Sequence, residues 1–188
     1  MISFKPVLAV SLLTLFLGGC SSLLPSAKSE SSPFESYEQA QQAIESLVPM
    51  KSNVAAVKEL GIAPPHYANT VILTQADIVR RFVPSALLQR QDLDPGLLAC
   101  LQARNACRGW EVSASRISKN RTGNFLADFT NFSRRQETTG WRFNGLILLV
   151  DDLVVFRSWG GQPRISELEI TKNPLGPFQD IGPAVLAR

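Results

Sequence analysis

The sequence predicts an α+β fold in which N-terminal helices pack on a small antiparallel sheet of about three strands. Three observations carry that prediction. Capped segments with a 3.6-residue apolar period occupy the first half of the chain, up to about Ala103. From Gly109 onward the apolar period changes to two. Two strongly apolar runs, Trp141–Val150 and Leu153–Trp159, are separated only by Asp151-Asp152 and so form a β-hairpin over residues 138–159.

Ser36 with Gln39 makes a capping box, after which Tyr37, Ala40, Ile44 and Leu47 fall on one helical face. Ser52 or Asn53 can cap a short helix holding Val54, Val57 and Leu60, closed by Gly61. Pro64-Pro65 breaks the pattern, and Thr70–Leu73 reads as a brief strand or extended segment. Thr74 and Asp77 cap the next helix, which carries Ile78, Val79 and Phe82 and ends before Pro84. Asp94 and Pro95 are an N-cap and first-turn proline for a helix with Leu97, Leu98 and Leu101. Trp110, Val112 and Ala114 then alternate with Glu111, Ser113 and Ser115, the pattern of a half-buried strand. In the hairpin, Trp141, Phe143, Ile147 and Leu149 line one face while Leu146, Leu148 and Val150 fill the other. A strand apolar on both faces needs cover on both, from helices and loops of the same chain or from a partner.

The start of the chain has a different character. Lys5 precedes an apolar run from Val7 to Leu17, shorter than the roughly 17–25 residues of a membrane-spanning helix but suited to the core of a signal peptide. Leu17-Gly18-Gly19-Cys20 resembles the lipobox of bacterial lipoproteins. That resemblance implies a signal peptide over 1–19, lipidation of Cys20 and attachment to a membrane. Ser21, where an aspartate would resemble an inner-membrane retention signal, favours the outer membrane, with the protein facing the periplasm. Residues 20–33, Ser-rich with two prolines after the cysteine, read as a flexible tether. A single periplasmic domain is expected over 34–188, with an extended C-terminal tail whose Asn173-Pro174-Leu175-Gly176-Pro177-Phe178 either docks on the domain or meets another protein.

Cys100 and Cys107 remain once Cys20 is assigned to lipid, and an oxidising compartment favours a disulfide between them over two buried thiols. On one continuous helix their Cα atoms would stand about 10.5 Å apart, beyond the roughly 7 Å a disulfide tolerates, so the helix must end between them. Asn105 and Gly109 are the available stop signals.

The capped helix ending in Leu-Gly, followed by a small antiparallel sheet, resembles the SmpA/OmlA lipoproteins of the BamE type. Ser52 stands eight residues before Leu60 and nine before Gly61, and Pro64 follows three residues later, spacings similar to the family's first helix. Met50-Lys51 replaces the family's Gly-Met, and residues 62–108 have no counterpart in it. The resemblance covers residues 45–62 and 109–160. It implies two helices on a three-stranded sheet and a role beside the machinery that inserts β-barrels into the outer membrane.

No catalytic set emerges. His66, the only histidine, lies in a Pro64-Pro65-His66-Tyr67 loop, and the chain has no Gly-x-Ser-x-Gly elbow. Asp151-Asp152 reads as a solvated turn, not as paired acid–base carboxylates. Gly160-Gly161 is followed by no Lys-Ser/Thr and is not a phosphate loop. The expectation is therefore a non-enzymatic protein needing no cofactor or metal.

Charge singles out one region. Residues 30–103 carry eight acidic and five basic side chains, a net of −3, whereas residues 104–142 carry three acidic and eight basic, a net of +5. Within the basic region Phe125, Leu126, Phe129 and Phe132 recur at i, i+1, i+4 and i+7 on a short helix, flanked by Lys119, Arg121, Arg134 and Arg135. Such a set suits an anionic lipid surface or an acidic partner; alternatively the apolar stripe packs under the sheet and only the charges face water. The expected compartment excludes nucleic acid as a partner. The leading expectation is a scaffold or accessory factor in envelope and outer-membrane protein assembly, partnered by another envelope protein. A lipid-binding or lipid-sensing periplasmic module is the alternative.

Overall fold

In the computed structural model, residues 24–83 and 93–178 are described. Among the described residues, five helices, α1 (Tyr37–Ser46), α2 (Val54–Glu59), α3 (Gln75–Phe82), α4 (Pro95–Ala103) and α5 (Phe125–Phe129), accompany five strands. The strands are β1 (Ser26–Ser31), β2 (Thr70–Leu73), β3 (Cys107–Thr122), β4 (Ser133–Val150) and β5 (Leu153–Lys172). They form one five-stranded antiparallel sheet in the order β1-β3-β4-β5, with β2 also paired to β3. Strand, not helix, dominates the molecule.

This overturns the expected fold class. A small three-stranded sheet covered by helices, as in the BamE type, does not describe a five-stranded sheet whose three principal strands are 16, 18 and 20 residues long. The physical reason is visible in the burial. The predicted strands are the parts with one or both faces in a core, where side-chain alternation marks them. Beyond those parts β3 runs on mostly half-buried and β5 mostly exposed, without an alternation of buried and exposed positions, which leaves no hydrophobic period to read.

The tether is corrected for the same reason. Residues 26–31 of the Ser-rich segment 20–33 form β1, exposed along nearly its whole length. The chain divides into two compact units. Unit A comprises residues 28–117 and 139–165; unit B comprises residues 1–27, 118–138 and 166–188, of which 24–27, 118–138 and 166–178 are described.

In unit A the helices form where the caps predict. Ser36 Oγ accepts from Gln39 N, Asn53 Oδ1 from Ala56 N, and Asp94 Oδ1 from Gly96 N. Thr74 and Asp77 form a reciprocal capping box. Tyr37, Ala40, Ile44 and Leu47 of the first helical stripe meet Val57, Ile62 and the odd-numbered face of β4, Trp141, Phe143, Ile147 and Leu149. Ile78, Leu97 and Cys100 cover the opposite face, against Leu146, Leu148 and Val155. The two-faced apolar strand is thus covered on both sides by helices of its own chain. Each fully buried Ile or Leu contributes about 2 kcal/mol by removal from water.

Close approach is a sequence-encoded requirement at Gly96. A methyl group on that residue of α4 would overlap the Val155 carbonyl of β5, so only glycine lets the helix lie this near the strand. The Cys100–Cys107 disulfide ties the same helix to β3, with Cα atoms 5.0 Å apart. The helix does end between the two cysteines, at Ala103, and a 3₁₀ turn over Arg104–Ala106 leads into β3. Both sulfurs lie in the core formed by α3, α4 and the sheet.

Candidate functional site

Unit B carries the residues singled out as a working surface. α5 is capped by Asn124, whose Oδ1 accepts from Leu126 N and Ala127 N. It is shorter than the Phe125–Phe132 stripe requires. Thr130 follows the helix and Asn131 adopts φ +60°, so Phe132 lies outside it and the i+7 member does not share its face. The alternative of a stripe packed under the sheet does not hold either. Phe129 is 76% exposed, Leu126 62% and Phe132 48%; Phe125 is half-buried and its ring stacks on that of Phe129 at 5.7 Å.

The C-terminal segment joins this surface. Asn173 N donates to Phe132 O at 2.9 Å and Asn173 Nδ2 to Asn131 Oδ1 at 3.1 Å. Gly176, at φ +55°, lies under the Phe132 ring, where a Cβ would come within 2.9 Å of three ring carbons. The tail was expected to be extended. Its described part instead turns at Pro174-Leu175 and enters a 3₁₀ turn over Gly176–Phe178, because Gly176 supplies the left-handed conformation and the close contact together. The segment docks through its backbone and the Asn173 side chain and leaves Leu175 63% and Phe178 68% exposed. Leu168 and Ile170 of β5 are half exposed as well.

The basic residues divide into two kinds. Arg121 Nη1 donates to Asp128 Oδ1 at 2.9 Å, pairing β3 with a carboxylate that is 5% exposed, so this arginine is part of the frame of unit B. Arg135 pairs with Glu137 at 3.3 Å on the surface, a contact of small energetic weight. Lys119 and Arg134 are exposed. Among the described residues of unit B, five basic side chains (Lys119, Arg121, Arg134, Arg135, Lys172) face four acidic ones (Asp128, Glu137, Glu167, Glu169), a net of +1. The regional excess of +5 over residues 104–142 is not a property of this unit.

Open clefts are found among the described residues of unit A. One, of about 500 Å³, is lined by Met50, Asn53, Ala99, Val150, Leu153 and the Asp151-Asp152 turn. Both aspartates are exposed, and Asp151 N is used by the Ala106 carbonyl. Another, of about 290 Å³, lies between Arg81 and Phe82 of α3 and Glu111, Asn144, Leu146 and Ser158 of the sheet. Arg81 donates to Glu111 across it at 2.8 Å, and this hydrogen bond holds the guanidinium above its ordinary pKa. His66 is exposed. The Tyr67 hydroxyl, which the sequence did not single out, lies 2.8 Å from Ser31 O and 2.9 Å from Ser113 O and binds β1 to β3; burial pushes its pKa up.

The outer edge of the sheet is also in unit A. Residues 50–54 pair with the start of β5: Met50 N donates to Val154 O at 2.8 Å, Val154 N to Ser52 O at 2.9 Å, and Val54 N to Asp152 O at 3.0 Å. Beyond Val154, the sheet order places no further described strand outside β5. Cys20 and the signal segment lie outside the described residues, and no described helix is long and apolar enough to cross a membrane. No protein-family model matches the chain, and no similarity to curated proteins or solved structures is found.

Proposed function

We propose that this chain is a lipid-anchored protein of the outer membrane, facing the periplasm, that works without catalysis as a scaffold or accessory factor in envelope and outer-membrane protein assembly. The observation that carries this reading is the outer edge of β5 in unit A, on a chain with a lipobox at Cys20. After Val154 this edge offers backbone donors and acceptors to an incoming strand, a mode in which main-chain bonds supply affinity and side-chain pockets supply selectivity. Pro163 and Arg164 limit the edge, as expected where uncontrolled pairing must be prevented. The partner is an extended segment of another envelope protein.

A photoreactive amino acid in place of Gln162, in cells, tests this. Adducts with outer-membrane assembly components are expected, absent when the probe replaces exposed Glu38 of α1. Adducts no stronger than at Glu38 would remove the support for the edge. A second reading, a lipid-binding module, is favoured by the exposure of Leu126 and Phe129 in unit B.

A further inference from the structure

Unit B also contains the segment that follows the cysteine read as lipidated. Leu24 is buried, and Pro25 O accepts a hydrogen bond from Arg121 N at 3.2 Å, so unit B holds the chain from Leu24 onward. Only Ser21, Ser22 and Leu23 separate Leu24 from Cys20. Four residue steps span at most about 14 Å when fully extended. The tether expected over residues 20–33 is replaced by a leash of three residues.

We infer that the exposed apolar surface of unit B, formed by Leu126, Phe129 and Phe132 with Phe178 of the docked C-terminal segment, rests on the bilayer that holds the acylated Cys20. The inference depends on the lipoprotein reading of Cys20 and names lipid as the occupant of this surface. Acyl chains in the membrane and a leash this short keep unit B at the bilayer surface at high effective concentration, so even a contact too weak to bind a free domain is occupied. Phe and Leu side chains are suited to the boundary between headgroups and acyl chains. The net charge of +1 gives little long-range attraction, so the contact depends on apolar burial and the leash and forms on zwitterionic lipid too. Arg121 has a structural part in this arrangement, because it joins Pro25, at the end of the leash, to Asp128 of α5. A lipid contact also accounts for aromatic residues that stay about half exposed or more on two segments of this unit.

The test uses the full chain, purified from membranes and reconstituted in phosphatidylcholine vesicles doped with a lipid bearing a diazirine on its acyl chain. Mass spectrometry then reads two things from one sample: acylation of the Cys20 peptide and photoadducts along the chain. Acylated Cys20 with adducts concentrated in residues 125–132 and 175–178 is the expected result. Leu126→Asp with Phe129→Asp should lower those adducts several-fold while the membrane-bound fraction is unchanged. Both positions are exposed, and the single substitution Phe178→Asp provides an independent variant with the same expected loss. Acylated Cys20 without adducts in these segments would overturn the inference and leave the lipoprotein reading standing. An unmodified Cys20 would overturn both, since the leash would then hold nothing. Crosslinks between the α5 peptides of two copies, in place of lipid adducts, would assign the surface to self-association and also overturn it.

Discussion

Unit A encloses a large apolar core, although Val71 and Ile72 of β2 stay more than half exposed, whereas the smaller unit B leaves most of its large apolar side chains outside. In unit A, Phe143, Ile44, Ile147 and Leu148 are fully buried, and helices cover both faces of the sheet. In unit B, Leu126, Phe129, Phe132, Leu168, Ile170 and Phe178 are all about half exposed or more. The same residue type therefore stands in two energetic situations. A buried Phe stabilises its unit by removal from water, whereas an exposed Phe contributes little to folding and is free to contribute on contact with something else. The core of unit A therefore carries most of the stability that apolar burial supplies, and the exposed rings of unit B carry little of it.

The sharpest break of this comparison uses one substitution in each unit. Phe143→Ala removes a ring from a closed core and should cost about 3–5 kcal/mol. Phe129→Ala should change stability by no more than about 0.5 kcal/mol. All three tryptophans, Trp110, Trp141 and Trp159, belong to unit A, so their fluorescence in a urea titration reports that unit. A large shift in the Phe129→Ala midpoint would show that its ring is structural and would end the distinction between the units.

The next effect tests what holds α4 in place. Cys100 and Cys107 are seven residues apart, and opening so short a loop should cost about 2–3 kcal/mol. Replacing both by alanine should lower the tryptophan-monitored midpoint of unit A by that amount. Hydrogen exchange should rise first in residues 95–106. In unit B the corresponding link is Arg121–Asp128. Arg121→Ala leaves a buried carboxylate without its cation, and because the arginine is 31% exposed the loss should be about 2 kcal/mol, below that of a fully buried pair. Faster exchange over residues 118–138 is the expected signal. Unchanged exchange there would show that the pair does not hold α5.

How much of this was legible in the sequence follows the same division. Unit A was largely readable: the caps at Thr74 and Asp94, the brief strand at Thr70–Leu73 and the Asp151-Asp152 hairpin turn occur as expected. Asn53 and not Ser52 caps α2, and Ser36 caps α1 without the reciprocal half of its expected box, because Gln39 Oε1 accepts from Glu35 N instead. The extent of the sheet was not readable. Ser26–Ser31 carries no apolar alternation, and the second half of β5, where Pro163 and Gly160-Gly161 suggest an end, continues to Lys172 as the strand at the sheet edge, where a proline is tolerated. The Phe stripe was legible as a candidate surface from composition. Its exposure was not, since an amphipathic segment reads the same whether it meets a core or a membrane. The positive φ of Asn131 and the docking of Asn173 on Phe132 depend on tertiary contacts, so the shortened α5 and the turned tail left no sequence signal beyond Gly176.

The smallest expected effect concerns α3, on the well-covered side of unit A. Asp77 Oδ2 accepts from Thr74 Oγ1 at 2.7 Å and Thr74 N at 3.0 Å, and these hydrogen bonds, with Arg80 nearby, hold its carboxyl below the ordinary 3.8. A carboxyl with a lowered folded-state pKa stabilises the fold fully above its unfolded value. That contribution fades as pH falls through the folded value. The α3 amides of residues 75–82 should therefore lose part of their exchange protection only in strong acid, after correction for intrinsic rates. Asp77→Asn should remove that acid dependence and carry some of the loss already at neutral pH, since the amide replaces a charged cap near the positive end of the helix. The cap is solvent-exposed, so the tryptophan-monitored midpoint should hardly move. A midpoint shift approaching that of the cysteine variant would mean that α3 governs the whole of unit A, and the core side chains Ile78 and Leu146 would then be less independent of the helix end than their burial implies.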